Sequence, residues 1–205
     1  LEGWIMDLFA AMYKKSNAEN ALPMAKYMKN QFPFLGLKKP ERMKLVKPHL
    51  QEKKKEKRVD WDFIRRCYAM PEREFQYVAI DYLELMRDFL TAADMDRIEW
   101  LVRTKSWWDT VDALNRVVGY LVMKYPVLKE QRVRRWMTSD NIWLVRLSLI
   151  FQLRYKLRYK EKTDTEFLKE AILANCRRGE FLSIKPSAGS CASIQKPIPR
   201  GSKAF

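Results

Sequence analysis

Three stretches decide the fold: EFQYVAIDYL (residues 74–83), WWDTVDALNRV (107–117) and IWLVRLSLIFQ (142–152). Laid over one another, they align their leading aromatics, Phe75, Trp108 and Trp143, at intervals of 33 and 35 residues. A fourth stretch, EFLSIK (180–185), puts Phe181 38 residues further on. That longer interval holds the tandem LRYKLRYK (153–160), which reads as a four-residue duplication. Outward from these stretches, apolar residues recur at three- and four-residue spacing from the start to about Ala174, the periodicity of amphipathic helices. No alternation of apolar and polar residues is long enough for a sheet.

Helix starts are marked locally. Pro40-Glu41 follows the loop FLGLKK, and Pro71-Glu72 opens the first aligned stretch. Ser106 stands three residues before Asp109, close to a capping box, and Ser139 or Asp140 is placed to cap the third stretch. Helix pairs at a period of 35–45 residues define an α-solenoid of HEAT type. The expected fold is therefore all-α: a solenoid of HEAT-like antiparallel helix pairs presenting a concave basic face. A compact helical bundle is the competing architecture.

Composition narrows the function. Across 205 residues, 40 Lys and Arg oppose 25 Asp and Glu, a formal net charge of +15. Such an excess points to a polyanion, most simply nucleic acid. No apolar run approaches the ~20 residues that span a bilayer. The opening LEGWIMDLFAAMYKKS reads as an amphipathic helix rather than a signal peptide. Cys67, Cys176 and Cys191 suit neither a disulfide framework nor a zinc site, in keeping with a reducing cytoplasm. The one histidine, His49, lies in a lysine-rich stretch, which leaves no multi-histidine metal site. Among six glycines none forms a phosphate-cradling loop. No cofactor and no metal are expected, and the chain is read as a monomer.

The chemistry gathers in KSWWDTVD (105–112). Trp108 and Asp112 are four residues apart and share a helix face. Asp109 lies near the helix start, where its charge suits the positive end of the dipole. Asp109 is thus read as a structural cap, Trp107 as packing, and Asp112 as the functional acid. The repeat places Arg146 near the level of Asp112. A charge in the apolar run NIWLVRLSL either pairs with a carboxylate such as Asp112 or faces a ligand.

With these residues in place, the sequence resembles the bacterial DNA alkylation-repair glycosylases of the AlkD type. The resemblance runs from about residue 4 to residue 185. It rests on MAKYMKNQFPFLGLKKPER (24–42), MPEREFQYVAIDYL (70–83), TKSWWDTVD (104–112) and SDNIWLVRLSLIFQLRYK (139–156) in this order and spacing. It implies hydrolysis of the N-glycosidic bond of cationic alkylpurines, such as 7-methylguanine and 3-methyladenine, in double-stranded DNA. It also implies a catalytic Asp at Asp112, an active-site Trp at Trp108, an Arg at Arg146 and a cleft tyrosine at Tyr27. Lys38, Lys39, Arg132, Arg134, Arg135 and Arg154 are the expected phosphate contacts on the concave face. The rival function is a non-catalytic helical-repeat protein that binds DNA structures.

The pattern breaks after Lys185. The family carries a further active-site tryptophan in a final helix reading KAIGWxLRxYxKTNP, where this chain has KPSAGSCASIQKPIPRGSKAF. Residues 1–185 are therefore read as the glycosylase domain and 186–205 as an atypical tail of disorder-like composition. Gly189 stands in the slot of that tryptophan. Read one nucleotide out of register, the codons of residues 186–189 permit Ala-Ile-Gly-Trp, and the same shift over 191–199 permits the rest of the motif. Our hypothesis is that residues 186 to about 202 are a frameshifted translation. Resequencing the coding DNA is expected to show codons that yield the motif in the shifted frame; codons that cannot be shifted this way refute the reading.

Overall fold

The computed structural model describes residues 3–153 and 163–176. The expectations for Arg154, the tandem at 153–160 beyond Leu153, Phe181 and the tail 186–205 lie outside the described residues. Within them the chain is helical: α1 (Gly3–Lys14), α2 (Ala18–Tyr27), α3 (Lys39–Lys55), α4 (Trp61–Ala69), α5 (Arg73–Leu85), α6 (Met95–Arg103), α7 (Trp108–Lys124), α8 (Arg134–Trp136), α9 (Ile142–Ile150) and α10 (Thr165–Asn175). A π-helical turn, Lys129–Val133, leads into α8. No helix among the described residues is long and apolar enough to cross a membrane.

Short connections fold α4 onto α5, α6 onto α7 and α8 onto α9 as antiparallel hairpins. The second helices of these hairpins also pack on one another, α5 against α7 and α7 against α9, and α3 packs on α5 at the near end of the row. This is a two-layer solenoid of helix pairs, as the repeat spacing predicts. Side chains that bridge neighbouring repeats carry the same period. Trp61 Nε1 donates to Asp94 across 33 residues, Arg146 to Asp112 across 34, Arg73 to Asp109 across 36 and Trp136 Nε1 to Glu99 across 37.

The core follows from helical spacing. In α7 the residues Val111, Leu114, Val118 and Leu121 are fully buried at intervals of three and four, leaving Asp112 and Arg116 on another side. In α9 every residue from Leu144 to Ile150 is buried, because this helix is covered by α7, α8 and α10.

Two helix starts differ from expectation. Ser106 does not cap α7; its hydroxyl donates to the Val102 carbonyl, closing the end of α6, and Trp107 takes the N-cap position with no side-chain bond. Neither Ser139 nor Asp140 caps α9. Asn141 Oδ1 accepts from the Trp143 and Leu144 N–H groups, and Ser139 Oγ accepts from the Asn141 N–H. Asn fills this place as readily as Ser or Asp, so composition alone did not separate the neighbours.

The loop between α2 and α3 is shaped by one glycine. Gly36 has φ of +85°, and a Cβ there would stand 1.9 Å from the Asn17 carbonyl oxygen. Backbone approaches that closely only where no side chain intervenes.

Candidate active site

Trp108 and Asp112 project from the first two turns of α7, and Arg146 from the middle of α9. Arg146 Nε and Nη2 each donate to one oxygen of Asp112, both at 2.6 Å. Of the two alternatives left open for Arg146, the structure shows the carboxylate partner. The fork is bidentate, the geometry that fixes a carboxylate plane most firmly. The guanidinium is nearly enclosed while the Asp112 side chain stays 19% exposed, so the acid is held from behind and open in front. Arg146 Nη1 has no hydrogen-bond partner among the described residues.

Tyr27, at the end of α2, stands edge-on to Trp108 with ring centroids 5.7 Å apart and planes at 85°. Tyr27 is 67% exposed and Trp108 half-buried, so the two rings present aromatic surface beside the carboxylate. Trp107 points the other way and packs on Trp143 at 5.6 Å, as its packing role requires.

Asp109 is structural, but not as a cap. Its carboxylate accepts from Arg73 Nε at 2.9 Å, from Arg73 Nη2 at 2.6 Å and from the Tyr77 hydroxyl at 2.6 Å. Arg73 is fully buried and also donates to the Lys105 carbonyl and Thr110 Oγ1, while the Phe32 ring covers its guanidinium at 3.8 Å. These bonds pin the first turn of α7, from which Trp108 projects. Burial pushes the Tyr77 hydroxyl well above the ordinary phenol range, and the Asp109 charge pushes it further, so Tyr77 remains a donor. Burial lowers the Lys105 ammonium, with Arg73 adding to the effect, and Lys105 Nζ donates to the Met70 carbonyl.

The next residue, Glu74, faces the opposite way. Its carboxylate accepts from the N–H groups of Leu35, Gly36 and Leu37 at 2.9, 2.9 and 3.1 Å, and so holds the loop that follows α2. Burial raises its pKa, and the three N–H donors pull against that shift.

The expected phosphate contacts separate into two groups. Lys38 and Lys39 are exposed at the start of α3, where Glu41 accepts from the Lys38 N–H. Lys39 lines a cavity that reaches Tyr77, Ala113 and Arg116, next to Asp112 along α7. Arg132, Arg134 and Arg135 sit instead on the layer of first helices. Arg132 pairs with Asp96 of α6, and Arg134 with Glu130 and with Glu170 of α10. Arg135 lines a groove of about 510 Å³ with Trp100, Arg103 and Trp136. The structure therefore brings Tyr27, Trp108, Asp112 and Arg146 together and does not bring these three arginines to them.

Sequence reasoning missed Arg73, Glu74 and Tyr77. The signal was present: Arg73 and Asp109 lie 36 residues apart, close to the offset that pointed from Asp112 to Arg146.

A family model described as DNA alkylation repair enzyme matches residues 8–187. The chain belongs to the DNA alkylation repair enzyme family. A solved structure described as a predicted DNA alkylation repair enzyme from Enterococcus faecalis is 33% identical, with a TM-score of 0.72. The similarity covers 81% of this chain and 76% of that one. Among curated protein sequences no match is found. Membership in the DNA alkylation repair family gives this chain a role in DNA repair and fits its basic charge.

Arg73→Met is expected to destabilise the fold by about 3–5 kcal/mol, because Asp109 is left buried without its cation. Thermal unfolding followed by circular dichroism should show Tm falling by roughly 10 °C; a fall of under about 2 °C contradicts the role given to this pair.

Proposed function

We propose that this DNA alkylation repair protein is a glycosylase that hydrolyses the N-glycosidic bond of cationic N3- or N7-alkylated purines in duplex DNA. The observation that carries this reading is the Asp112 carboxylate, gripped by Arg146 from behind and open beside Trp108 and Tyr27.

The chemistry follows from the charge of the substrate. An alkylated purine is already a cation, so when its bond to C1′ breaks, the bonding electrons neutralise the base. No general acid is needed, which suits a chain with one histidine, half-buried against Trp4 far along the sequence. Positive charge then develops on the deoxyribose. A fixed carboxylate beside the sugar stabilises it, and the same oxygen orients the water that adds to C1′. Two unit charges ~4 Å apart attract by ~4 kcal/mol at an effective dielectric of ~20. A few of those kcal/mol, gained in the transition state, correspond to roughly several hundred-fold in rate.

The neighbours have matching parts. Trp108 offers a π face to the cationic nucleotide, worth ~0.5–2 kcal/mol, and Tyr27 extends that surface. Arg146 Nη1, without a hydrogen-bond partner among the described residues, is proposed to hold a backbone phosphate. An anion there draws on the guanidinium charge and leaves more of the Asp112 field for the sugar. The protein is proposed to act as a monomer in the cytoplasm, with no metal or cofactor in the reaction.

The test is release of 7-methylguanine from a methylated duplex oligonucleotide with EDTA present. The unaltered chain is expected to release the base and Asp112→Asn to lose at least about a hundred-fold in rate. Duplex binding without release by either protein favours the non-catalytic DNA binder, for which a negative charge in the groove is a handicap.

A further inference from the structure

The groove of about 510 Å³ between α6 and α8 lies in the layer of first helices, whereas Asp112 and Arg146 stand on the layer of second helices. The proposed chemistry gives it no occupant. Its charges are matched from within, with one exception. Glu99 is committed on both oxygens: Oε1 accepts from Arg103 Nε at 3.0 Å and Nη2 at 2.9 Å, and Oε2 accepts from Trp136 Nε1 at 2.9 Å. Asp96 accepts from Arg132 at 2.9 Å. The third arginine of the groove, Arg135, is exposed and has no ion-pair or hydrogen-bond partner among the described residues.

An apolar surface shares the groove with that unmatched cation. Trp100 is 44% exposed and is backed by the Tyr68 ring, with centroids 5.8 Å apart. Trp100 and Arg135 are 35 residues apart, the interval of the bonds that cross between neighbouring repeats, so α6 and α8 present them side by side. Tryptophan and arginine are among the side chains most enriched where proteins bind one another, because each supplies a large contact at a defined place.

The pattern of charge chooses among anions. A DNA strand carries a phosphate about every 3.4 Å, and Asp96, whose side chain is 62% exposed in the same groove, repels such a row. A peptide can alternate its groups. It can set one carboxylate on Arg135, where the guanidinium fork takes both oxygens, and one apolar side chain on Trp100. We infer that this groove docks an acidic peptide segment of a partner protein, with a carboxylate on Arg135 and a neighbouring aromatic or leucine side chain on Trp100. This goes beyond base release and does not depend on it. Because the groove and the Asp112 carboxylate belong to different layers, the chain holds the peptide and a duplex together, and so brings the partner to DNA.

The test selects a phage-displayed library of random dodecapeptides on the full chain, with excess undamaged duplex present to occupy the basic cleft. Enriched peptides are expected to carry Asp or Glu close to Trp, Phe or Leu. The most enriched one, labelled with fluorescein, is then titrated by anisotropy. Arg135→Glu and Trp100→Ala should each weaken its binding at least about tenfold. Lys47→Glu makes the same charge change at an exposed position of α3 and should leave peptide binding unchanged. Arg135→Glu replaces an exposed side chain, so its circular dichroism and its affinity for the duplex should match those of the unaltered chain. Failure to enrich any peptide overturns the inference, as does an enriched peptide that binds Arg135→Glu normally. Equal weakening by Lys47→Glu overturns it too, since net charge rather than the groove then holds the peptide. A loss of duplex affinity in Arg135→Glu with peptide binding intact makes the groove a DNA contact instead.

Discussion

The first turn of α5 is the constraint on which both sides of the site depend. Three consecutive charged residues leave it in three directions. Glu72 accepts from the Tyr13 hydroxyl of α1 at 2.8 Å, and that phenol is pushed up to about 12, by burial first and then by the carboxylate. Arg73 reaches forward to Asp109 and Lys105 and fixes the start of α7. Glu74 reaches back to the N–H groups of Leu35, Gly36 and Leu37. The helix that carries Tyr27 has no fully buried residue of its own, so its position depends on the loop that Glu74 holds. Tyr27 and Trp108 meet because one turn of α5 anchors both of their supports.

Buried ion pairs of this kind gain little stability over well-packed apolar residues, since desolvation opposes the Coulomb attraction. Their value here is geometric. An apolar contact between α5 and α7 would tolerate a slip of one helix along the other, whereas a bidentate Arg–carboxylate pair tolerates very little. The device is used again one repeat later, where Arg146 holds Asp112. The two pairs differ in exposure. Asp109 is 6% exposed and committed to structure, while Asp112 is 19% exposed and available to a ligand. One architectural motif thus supplies a rivet in one repeat and a candidate site in the next.

The repeat was legible in the sequence because Phe75, Trp108 and Trp143 mark the first turns of α5, α7 and α9 at nearly equal intervals. The face shared by Trp108 and Asp112 was legible because helical spacing alone sets it. The role of Asp109 was misread, because helix-dipole reasoning is local and its true partner is 36 residues away. The caps at Ser106 and Ser139 were misread because local sequence does not say which bond a hydroxyl takes: Ser106 donates to the Val102 carbonyl at the end of α6, and Asn141 rather than Ser139 meets the free N–H groups of α9. Arg132, Arg134 and Arg135 were expected as phosphate contacts on the concave face. Charge does not reveal the layer a helix occupies; in the fold Arg132 and Arg134 pair with nearby acids, and Arg135 lines the groove on the other layer.

The central claim is that the reaction draws on a cation already present in the substrate, stabilised by one fixed carboxylate. The measurement that tests it most directly compares base release from duplexes carrying 7-methylguanine with release from otherwise identical duplexes carrying a neutral lesion such as uracil or hypoxanthine. The account predicts release of the cationic base alone, since it assigns no group to protonate a neutral leaving base. Comparable release of a neutral base would contradict it, because that reaction demands a general acid that the Asp112–Arg146 pair does not provide.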